Sequence, residues 1–281
     1  LWVQDLWPDS LIATGAVRSN FIINIIGLMV KWIYKKSDLI FVQSKSFGKS
    51  ISSINSSFQK KISYLPNWAE DSYDLDSNLP QNRFQKLLPK DKFIIMFAGN
   101  LGVAQSLDTI LLAASRLKKT KIHWVFLGDG RQKEWLKRSL VDYGLQDNIS
   151  ILGRYPMTDM PKFFNLADIL LVTLKKDLTY SMTIPGKIQS YLKAGKPILS
   201  SLDGEGAEVI QETISGFKVE AEDFIGLPTA ALKMSELSKE SLSQMGINGK
   251  KYYDKNFDAN SILSTFENAY KTQCGKDILD I

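Results

Sequence analysis

The sequence has 281 residues, of which 44% are hydrophobic and 23% are charged, a length and composition typical of a globular protein with two domains. Its single cysteine, Cys274, excludes an intramolecular disulfide and a cysteine-rich metal site, and no apolar run reaches the roughly 18 residues that a membrane-spanning helix needs. Residues 1–66 carry the net charge of +5, with eight basic side chains against three acidic ones, while the rest of the chain carries 27 of each sign. We therefore expect a basic surface on the first part of the chain.

The start of the chain predicts the end of a sheet. Residues 1–5 indicate the last part of a strand, and the first residue is Leu1, so we expect the chain to begin inside a domain whose earlier part is missing. The loop at 5–10 follows this strand, in the position where ligands gather in open α/β sheets. It is therefore a candidate lip of a cleft.

Residues 21–34, FIINIIGLMVKWIY, are apolar almost all round and are followed by Lys35 and Lys36. One interpretation is a helix buried in the core. The other is a helix that lies on a membrane, with Trp32 and Tyr34 at the interface and the lysines towards acidic lipid. The sequence leaves both interpretations open.

A polar stretch without periodicity at 70–88 predicts a linker between two domains. Within it, Asp74-Leu75-Asp76 has the spacing of a metal-holding carboxylate pair, but such pairs follow strands, so a solvated linker is the better interpretation. We expect residues 1–69 to complete one domain and 89–253 to form a second. Residues 254–281 are then expected to form a helix that crosses back to the first domain.

Residues 89–253 alternate apolar strands with helical patterns, which predicts a parallel sheet covered on both faces. Glycine-rich loops follow several of these strands, and the carboxyl ends of parallel strands share one edge of the sheet. The loops lack the GxGxxG and GxxxxGK[ST] patterns, so they predict phosphate binding without a dinucleotide or triphosphate fingerprint. Another loop opens a short helix whose uncapped amides stand beside Lys187. The loops are at 99–102, 128–130, 153–156, 183–187 and 203–206.

His123, the only histidine, lies in an apolar strand between Ile122 and Trp124, which indicates a structural role. With one histidine, one cysteine and no clustered carboxylates in the sequence pattern, we expect neither a zinc site nor a Ser/His or Cys/His nucleophile.

Taken together, these motifs resemble those of family 4 glycosyltransferases, which have two Rossmann-like domains. The resemblance covers nearly the whole chain. QDLWPDS at 4–10 and GKIQSY at 186–191 are similar to the branch that builds bacterial surface polysaccharides and includes the L-fucosamine transferases. The other matching segments are DLIFVQS at 38–44, LPN at 65–67, FAGNLG at 97–102, GDG at 128–130, LGR at 152–154, ADILL at 167–171, and the stretch from PGK at 185–187 to GKP at 195–197.

The resemblance implies an α/β fold of the GT-B type, in which two parallel sheets face a cleft and the first domain is incomplete here. It implies that backbone amides at 99–102 and 183–187 hold the diphosphate of a nucleotide-sugar donor, that Arg154 and Tyr155 border its base, and that residues 204–206 border its sugar. On the acceptor side it implies Trp7 and one visible catalytic candidate, Asp5, for which the alternative is an aspartate that caps its own loop. The implied donor-binding residues are Gly99, Asn100, Leu101, Gly102, Gln105, Gly128, Asp129, Gly130, Arg154, Tyr155, Thr183, Ile184, Pro185, Gly186, Lys187, Ser190, Gly204, Glu205 and Gly206.

The sequence departs from the family pattern at two glutamates. The family often has one glutamate and, eight positions later, a second that enters the helix, but Met182 and Ser190 stand there. A carboxylate contact with the donor ribose is therefore in question, with Ser190, Gln189 or Glu205 as the candidate substitutes.

A second departure concerns positive charge. The family commonly has a basic pair in the first glycine loop, where this chain has Asn100 and Gln105. Lys187 and Arg154 would then carry more of the charge that a diphosphate needs.

The implied activity is a sugar transfer with retention of configuration, of the hexosyltransferase type (EC 2.4). The expected donor is UDP-linked and carries an N-acetylated aminodeoxysugar, and the expected acceptor is lipid-linked or a saccharide in O-antigen or capsule synthesis. The donor is a substrate, and neither a cofactor nor a metal is expected. Two alternatives stay open: a nucleotide-sugar epimerase of the same architecture, and a fragment that binds nucleotide sugar without turnover.

The expected partners follow from the same reasoning. We expect no nucleic acid, but a polyprenyl-diphosphate-linked acceptor that the protein meets at the inner face of the plasma membrane through its basic N-terminal segment. The expected location is cytoplasmic, with peripheral attachment to that membrane.

Overall fold

The computed structural model describes residues 1–70 and 82–274, which fold around two parallel sheets. The smaller sheet belongs to residues 1–69, which we call the first lobe. It consists of β1 (Trp2–Val3), β2 (Ile40–Val42) and β3 (Ile62–Tyr64) in that order, with Phe41 paired to Trp2 on one side and Ser63 on the other. The helices of this lobe are α1 (Asp9–Ala13), α2 (Asn20–Lys36), α3 (Lys45–Ile54) and a 3-10 helix (Ser56–Lys61).

The larger sheet belongs to residues 82–256, the second lobe, and has six parallel strands. They are β4 (Phe93–Ala98), β5 (Ile122–Leu127), β6 (Ile149–Gly153), β7 (Ile169–Thr173), β8 (Ile198–Ser201) and β9 (Gly216–Val219), in the spatial order β6-β5-β4-β7-β8-β9. This is the 3-2-1-4-5-6 order of doubly wound nucleotide-binding sheets, in which the order reverses between the first and fourth strands. The reversal falls between β4 and β7 and marks the expected ligand crevice.

Helices cover both faces of the larger sheet. Ile94 and Met96 of β4 belong to one apolar layer and Ile95 and Phe97 to the other, as the alternation of side chains along a strand requires. The predicted α/β fold with two parallel sheets is confirmed. The helices of the second lobe are α4 (Asn82–Gln85), α5 (Leu107–Arg116), α6 (Lys133–Asp142), α7 (Met160–Leu166), α8 (Leu178–Ser181), α9 (Gly186–Lys193), α10 (Glu205–Thr213), α11 (Gly226–Ser235) and α12 (Lys239–Asn256).

The end of the chain contacts the first lobe. The Tyr253 hydroxyl in α12 accepts the Ala69 N–H at 3.1 Å and lies 3.1 Å from the Ala69 carbonyl, to which it donates. Helix α13 (Ala259–Cys274) then places the Phe266 ring 5.2 Å from that of Phe41, centroid to centroid. The domain boundaries that the sequence places at 69 and 253 stay predictions.

The predicted linker at 70–88 differs in part from the structure. Residues 71–81, with Asp74 and Asp76, lie outside the described residues. In α4, Phe84 is 2% exposed and packs edge-on against Phe163 at 4.7 Å, so the end of the predicted linker belongs to the second lobe. Across the two described ranges, no helix combines the length and the hydropathy that crossing a membrane requires.

Candidate functional site

A cavity of about 460 Å³ opens at the carboxyl ends of β4, β5 and β6, beside the start of α9. It lies next to the reversal of strand order, where doubly wound sheets bind their ligands. Glycines and apolar side chains provide most of its lining. The lining residues are Ala98, Gly99, Asn100, Leu127, Gly128, Asp129, Arg154, Tyr155, Met157, Met160, Phe164, Gly186, Lys187, Ser190 and Tyr191.

Residues from four predicted donor-binding loops, together with Ser190 of α9, meet in this cavity. The sequence could place these segments only at the same edge of a sheet, whereas the structure brings their residues around one space. Those that line it are Gly99, Asn100, Gly128, Asp129, Arg154, Tyr155, Gly186, Lys187 and Ser190.

The remaining predicted donor-binding residues lie outside the lining of the cavity. Leu101 and Ile184 are core side chains, 0% and 2% exposed, so a donor could reach only their backbones. The others keep their roles as predictions, with Glu205 treated separately below. They are Gly102, Gln105, Gly130, Thr183, Pro185, Gly204 and Gly206.

Lys187 brings an ammonium group to the cavity. Its Nζ lies 2.6 Å from Gln105 Oε1 and 4.8 Å from the centre of the Phe97 ring. A Cβ on Gly99 would lie 2.7 Å from Lys187 Cε, so the glycine leaves room for the lysine. Burial lowers the pKa of Lys187 to about 8. An anion beside this ammonium would offset the cost of burying its charge.

Helix α9 begins at the cavity and is fixed to the sheet beneath it. Its N-cap, Pro185, makes no side-chain capping hydrogen bond, and an uncapped helix start favours an anion. Further along the helix, the Tyr191 hydroxyl accepts the Ala98 N–H at 3.1 Å and lies 3.3 Å from the Leu171 carbonyl, to which it can donate. These bonds tie the second half of the helix to β4 and β7.

The loops after β4 and β5 touch at Gly99 and Gly128. Both glycines have a positive φ, +136° and +142°, and a Cβ on Gly128 would overlap the Gly99 carbonyl. Glycine is therefore required for the close approach of the two loops. Their backbones can then border the same ligand.

Asp129 lines the cavity, but its carboxylate is already bonded. It accepts the Gly130 N–H at 2.8 Å and a hydrogen bond from Lys133 Nζ at 2.7 Å. These bonds, that from Lys133 first, hold the pKa of Asp129 below its ordinary value. The side chain therefore stabilises its own loop.

An apolar wall of the cavity was not predicted from the sequence. Met157, Met160 and Phe164 line it beside Tyr155, whose ring packs edge-on against Phe163 at 4.6 Å. Such a wall suits a planar base. Two methionines within the four residues after the glycine loop at 153–156 are the sequence signal that could have identified it.

Three residues were candidates for the ribose contact that the family's glutamate would make, and the structure places only one of them at the cavity. The Glu205 carboxylate accepts backbone N–H groups of Lys45 and Ser46 in the first lobe, at 2.9 and 2.8 Å. Gln189 is 0% exposed and does not line the cavity. Of the three candidates, Ser190 alone lines it, and its hydroxyl donates to the Gly186 carbonyl at 3.1 Å. A ribose contact from Gln189 or Glu205 is therefore not supported.

The acceptor-side candidates remain predictions. Asp5 follows β1 and is exposed, Trp7 is also exposed, and neither lines the cavity.

His123 lies inside the sheet with Nε2 2.9 Å from Ser150 Oγ, and burial lowers its pKa. In the part of the chain that the structure describes, no three His, Cys, Asp or Glu side chains could share a metal ion.

Comparison with known proteins gives a family match. A family model described as glycosyl transferases group 1 matches residues 79–252. The probable glycosyltransferase WbjE of Pseudomonas aeruginosa is 27% identical over 252 residues, which are 86% of this chain and 61% of that protein. A Campylobacter jejuni protein named N-acetylgalactosamine-N,N'-diacetylbacillosaminyl-diphospho-undecaprenol 4-alpha-N-acetylgalactosaminyltransferase is 28% identical over 137 residues, 49% of this chain and 36% of that one.

Solved structures show the same fold at low identity. The Anabaena protein Alr3699/HepE, in complex with UDP and glucose, superposes with a TM-score of 0.77 at 14% identity, over 96% of this chain and 70% of that one. A glycosyltransferase from Rickettsia africae gives a TM-score of 0.73 at 19% identity, over 87% and 66%. The chain thus spans about three fifths of the P. aeruginosa relative and two thirds of the R. africae structure. The GT-B type of the fold is confirmed.

Proposed function

We infer the function from one premise: this chain belongs to the group 1 glycosyl transferase family. We propose that the protein transfers a sugar from a nucleotide-sugar donor to an acceptor, and that the cavity beside α9 is the donor site. The observation that carries this proposal is the position of the Lys187 ammonium, among glycine loops at the reversal of strand order. That position combines a cation, backbone amides and a helix start at one end of an apolar cavity.

We propose UDP as the nucleotide of the donor. Its diphosphate would lie against Lys187 and the amides at 99–102, and its base against the wall formed by Tyr155, Met157 and Met160. Arg154, which also lines the cavity, would supply a second positive charge. The Anabaena structure of the same fold holds UDP, which supports this choice at the level of the fold.

The proposed reaction needs the diphosphate to leave with its extra charge stabilised. The Lys187 ammonium and the first-turn amides of α9 would do this at a site that excludes much of the water, where electrostatic stabilisation is strongest. The acceptor hydroxyl would then attack the anomeric carbon from the face that the diphosphate leaves, which retains the configuration of the sugar. The new carbon–oxygen bond to the acceptor replaces the bond to the diphosphate, and the hydroxyl proton passes to the departing diphosphate oxygen. In this proposal the chain's own cations neutralise the leaving group, without a metal.

We further propose that the acceptor is carried on a membrane, in the synthesis of a surface polysaccharide. Support comes from α2, which leaves an apolar stripe exposed and ends in the exposed residues Lys35 and Lys36. The C. jejuni relative is named for an undecaprenol-linked acceptor, and an Escherichia coli relative, WcaI, for colanic acid biosynthesis. The exposed side chains of the stripe are Phe21, Ile22, Ile25, Leu28, Met29 and Trp32.

Calorimetric titration of the chain with UDP, GDP and NAD tests the donor site. We expect UDP to bind, and Lys187→Ala to weaken binding by about tenfold to a hundredfold, because a charge-assisted contact of about 1.5–3 kcal/mol is lost. Lys119→Ala, at an exposed lysine away from the cavity lining, serves as the control and should bind UDP as the unchanged chain does. Binding of NAD alone would overturn the proposal, and UDP binding that survives Lys187→Ala would remove that residue's role.

A further inference from the structure

The start of α10 in the second lobe reaches the start of α3 in the first. Glu205, the first residue of α10, uses both carboxylate oxygens: Oε1 accepts the Lys45 N–H at 2.9 Å and Oε2 accepts the Ser46 N–H at 2.8 Å. Lys45 and Ser46 open α3, so their amides have no partner within their own helix. A carboxylate from one lobe therefore caps a helix of the other, where the helix dipole favours a negative charge.

A second contact lies beside the first. Ser44, the N-cap of α3, accepts the Phe47 N–H at 3.1 Å and donates its hydroxyl to the Met182 carbonyl at 2.6 Å. The Met182 side chain packs against the first lobe's apolar cluster, which includes Phe47. The Met182 side chain, at a position where the family resemblance implies a glutamate, therefore contacts apolar side chains of the other lobe.

Gly204 allows the loop before α10 to pass close to the backbone of α8. Its φ is +73°, and a Cβ there would overlap the Ser181 carbonyl, so the glycine lets this loop lie against the end of α8. Glu205 then lies between the lobes. Its charge helps to raise the pKa of Tyr64 in the first lobe and of Tyr252 in the second, although burial is the larger cause in both.

We propose that Glu205 is an interlobe positioning residue, which holds the first lobe in place against the second lobe by capping α3. We call its contact with Lys45 and Ser46 the interlobe latch. The proposal rests on the proposed function, because the first lobe is the part that would present the acceptor. Closed lobes bring the acceptor hydroxyl to the donor sugar and exclude water. The donor nucleotide itself binds without Glu205, whose carboxylate is already bonded to α3.

Hydrogen exchange and a distance measurement test the latch. In Glu205→Ala we expect the amides of Lys45 and Ser46 to exchange about tenfold faster or more, because two charge-assisted hydrogen bonds are lost. Glu205→Gln keeps the side-chain volume and should lie between Glu205→Ala and the unchanged chain. Spin labels at Lys49→Cys and Lys137→Cys, in a Cys274→Ser background, should report a longer or broader interlobe distance in Glu205→Ala. A role confined to capping α3 would speed exchange and leave this distance unchanged, which would overturn the proposal.

Glu208→Gln is the matched control, because Glu208 lies in the same first turn of α10 and is exposed. It should change neither the exchange nor the distance. Calorimetry with UDP separates the latch from the donor site: Glu205→Ala should bind UDP within about twofold of the unchanged chain, and a loss as large as that of Lys187→Ala would make Glu205 a donor ligand and overturn the latch. If the unchanged chain fails to bind UDP, the proposed function fails, while the exchange and the distance still decide whether the latch exists.

Discussion

At the scale of single residues, burial and the proposed ligand shift the pKa of Lys187 in opposite directions. Burial lowers its pKa to about 8, whereas a diphosphate beside Nζ would stabilise the ammonium and raise that pKa. The contacts of Nζ in the described part of the chain, with Gln105 Oε1 at 2.6 Å and with the Phe97 ring, are to neutral groups. Binding of the donor should therefore be coupled to the protonation of this one side chain.

We expect the affinity for UDP to fall as the pH rises above about 8, by up to about tenfold per pH unit. Below the pKa Lys187 already carries its proton, so binding takes up none and affinity is constant. Above it, binding must take up a proton, which becomes less available as the pH rises. Calorimetry between about pH 7 and pH 9 measures this dependence, which is set by the pKa of the free site.

Lys187→Met is the control for that profile, because it keeps most of the side-chain volume and removes the charge. It should bind UDP weakly at each pH and without the fall above pH 8, so any slope it shows belongs to the nucleotide. A profile of the unchanged chain that stays flat, or that matches the slope of Lys187→Met, would contradict the coupling.

The sequence predicted several residues on glycine loops that the structure brings around the candidate cavity. Gly99, Gly128 and Lys187 could be identified because phosphate sites need glycines and a cation at the ends of parallel strands. Glu205 was assigned to the donor site and the contact of Met182 with the first lobe was not foreseen, because their partners Lys45 and Ser44 are more than one hundred residues away. A carboxylate that binds a ligand and one that caps a distant helix look the same in a sequence.

At the scale of elements, α2 shows that the pattern of apolar residues alone does not distinguish a buried helix from one that lies on a membrane. Its sequence is apolar almost all round, so burial and membrane contact were equally compatible with it. The structure buries Val30 and Tyr34 and leaves an opposite stripe exposed, in which Phe21 and Leu28 are 74% and 68% exposed. Large exposed apolar patches mark interaction sites, and the lysines at Lys31, Lys35 and Lys36 favour an anionic surface as the partner.

We expect the chain to float with vesicles of phosphatidylcholine and phosphatidylglycerol, and to stay unbound with phosphatidylcholine alone. Replacing Lys31, Lys35 and Lys36 by glutamine should lower the partition coefficient roughly a hundredfold, since each lysine near an anionic surface contributes about 1 kcal/mol. The measurement is the bound fraction across a series of lipid concentrations. High salt should weaken binding in the same direction.

The control for charge number replaces exposed lysines of the second lobe, Lys119, Lys137 and Lys218, and should leave the partition coefficient nearly unchanged. Equal losses in the two triple variants would mean that net charge alone attracts the chain. Absence of binding by the unchanged chain would remove the membrane from the proposal. None of these vesicle-binding results affects the interpretation of the UDP titration.

At the scale of the whole molecule, the order of the six-stranded sheet follows from its alternation of strands and helices, whereas the contact between the lobes does not. Right-handed crossovers leave few ways to arrange β4 to β9, so local pattern was sufficient for the fold class. The lobes meet through single contacts, such as Tyr253 with Ala69 and Glu205 with α3. Such contacts leave no periodic pattern in the sequence, so they can be identified only from the three-dimensional structure.

The packing of α13 on the first lobe gives a prediction for the whole chain. Phe266 lies 5.2 Å from Phe41, ring to ring, and both belong to a small cluster with Leu65 and Ile262. Phe266→Ala should destabilise the first lobe by about 2–3 kcal/mol, because it removes a ring from this small cluster. The second lobe should stay intact, because its stability comes from the much larger apolar layers around its own sheet.

Thermal unfolding of Phe266→Ala should therefore separate into two transitions, an early one for the first lobe and a later one close to that of the unchanged chain. The affinity for UDP below the first transition should stay within about twofold, because the cavity is built by second-lobe residues alone. Leu263→Ala, at an exposed position of the same helix, should change neither transition. A single transition shifted as a whole would mean that the lobes unfold as one cooperative unit, in which case the interlobe contacts contribute as much to stability as either core does.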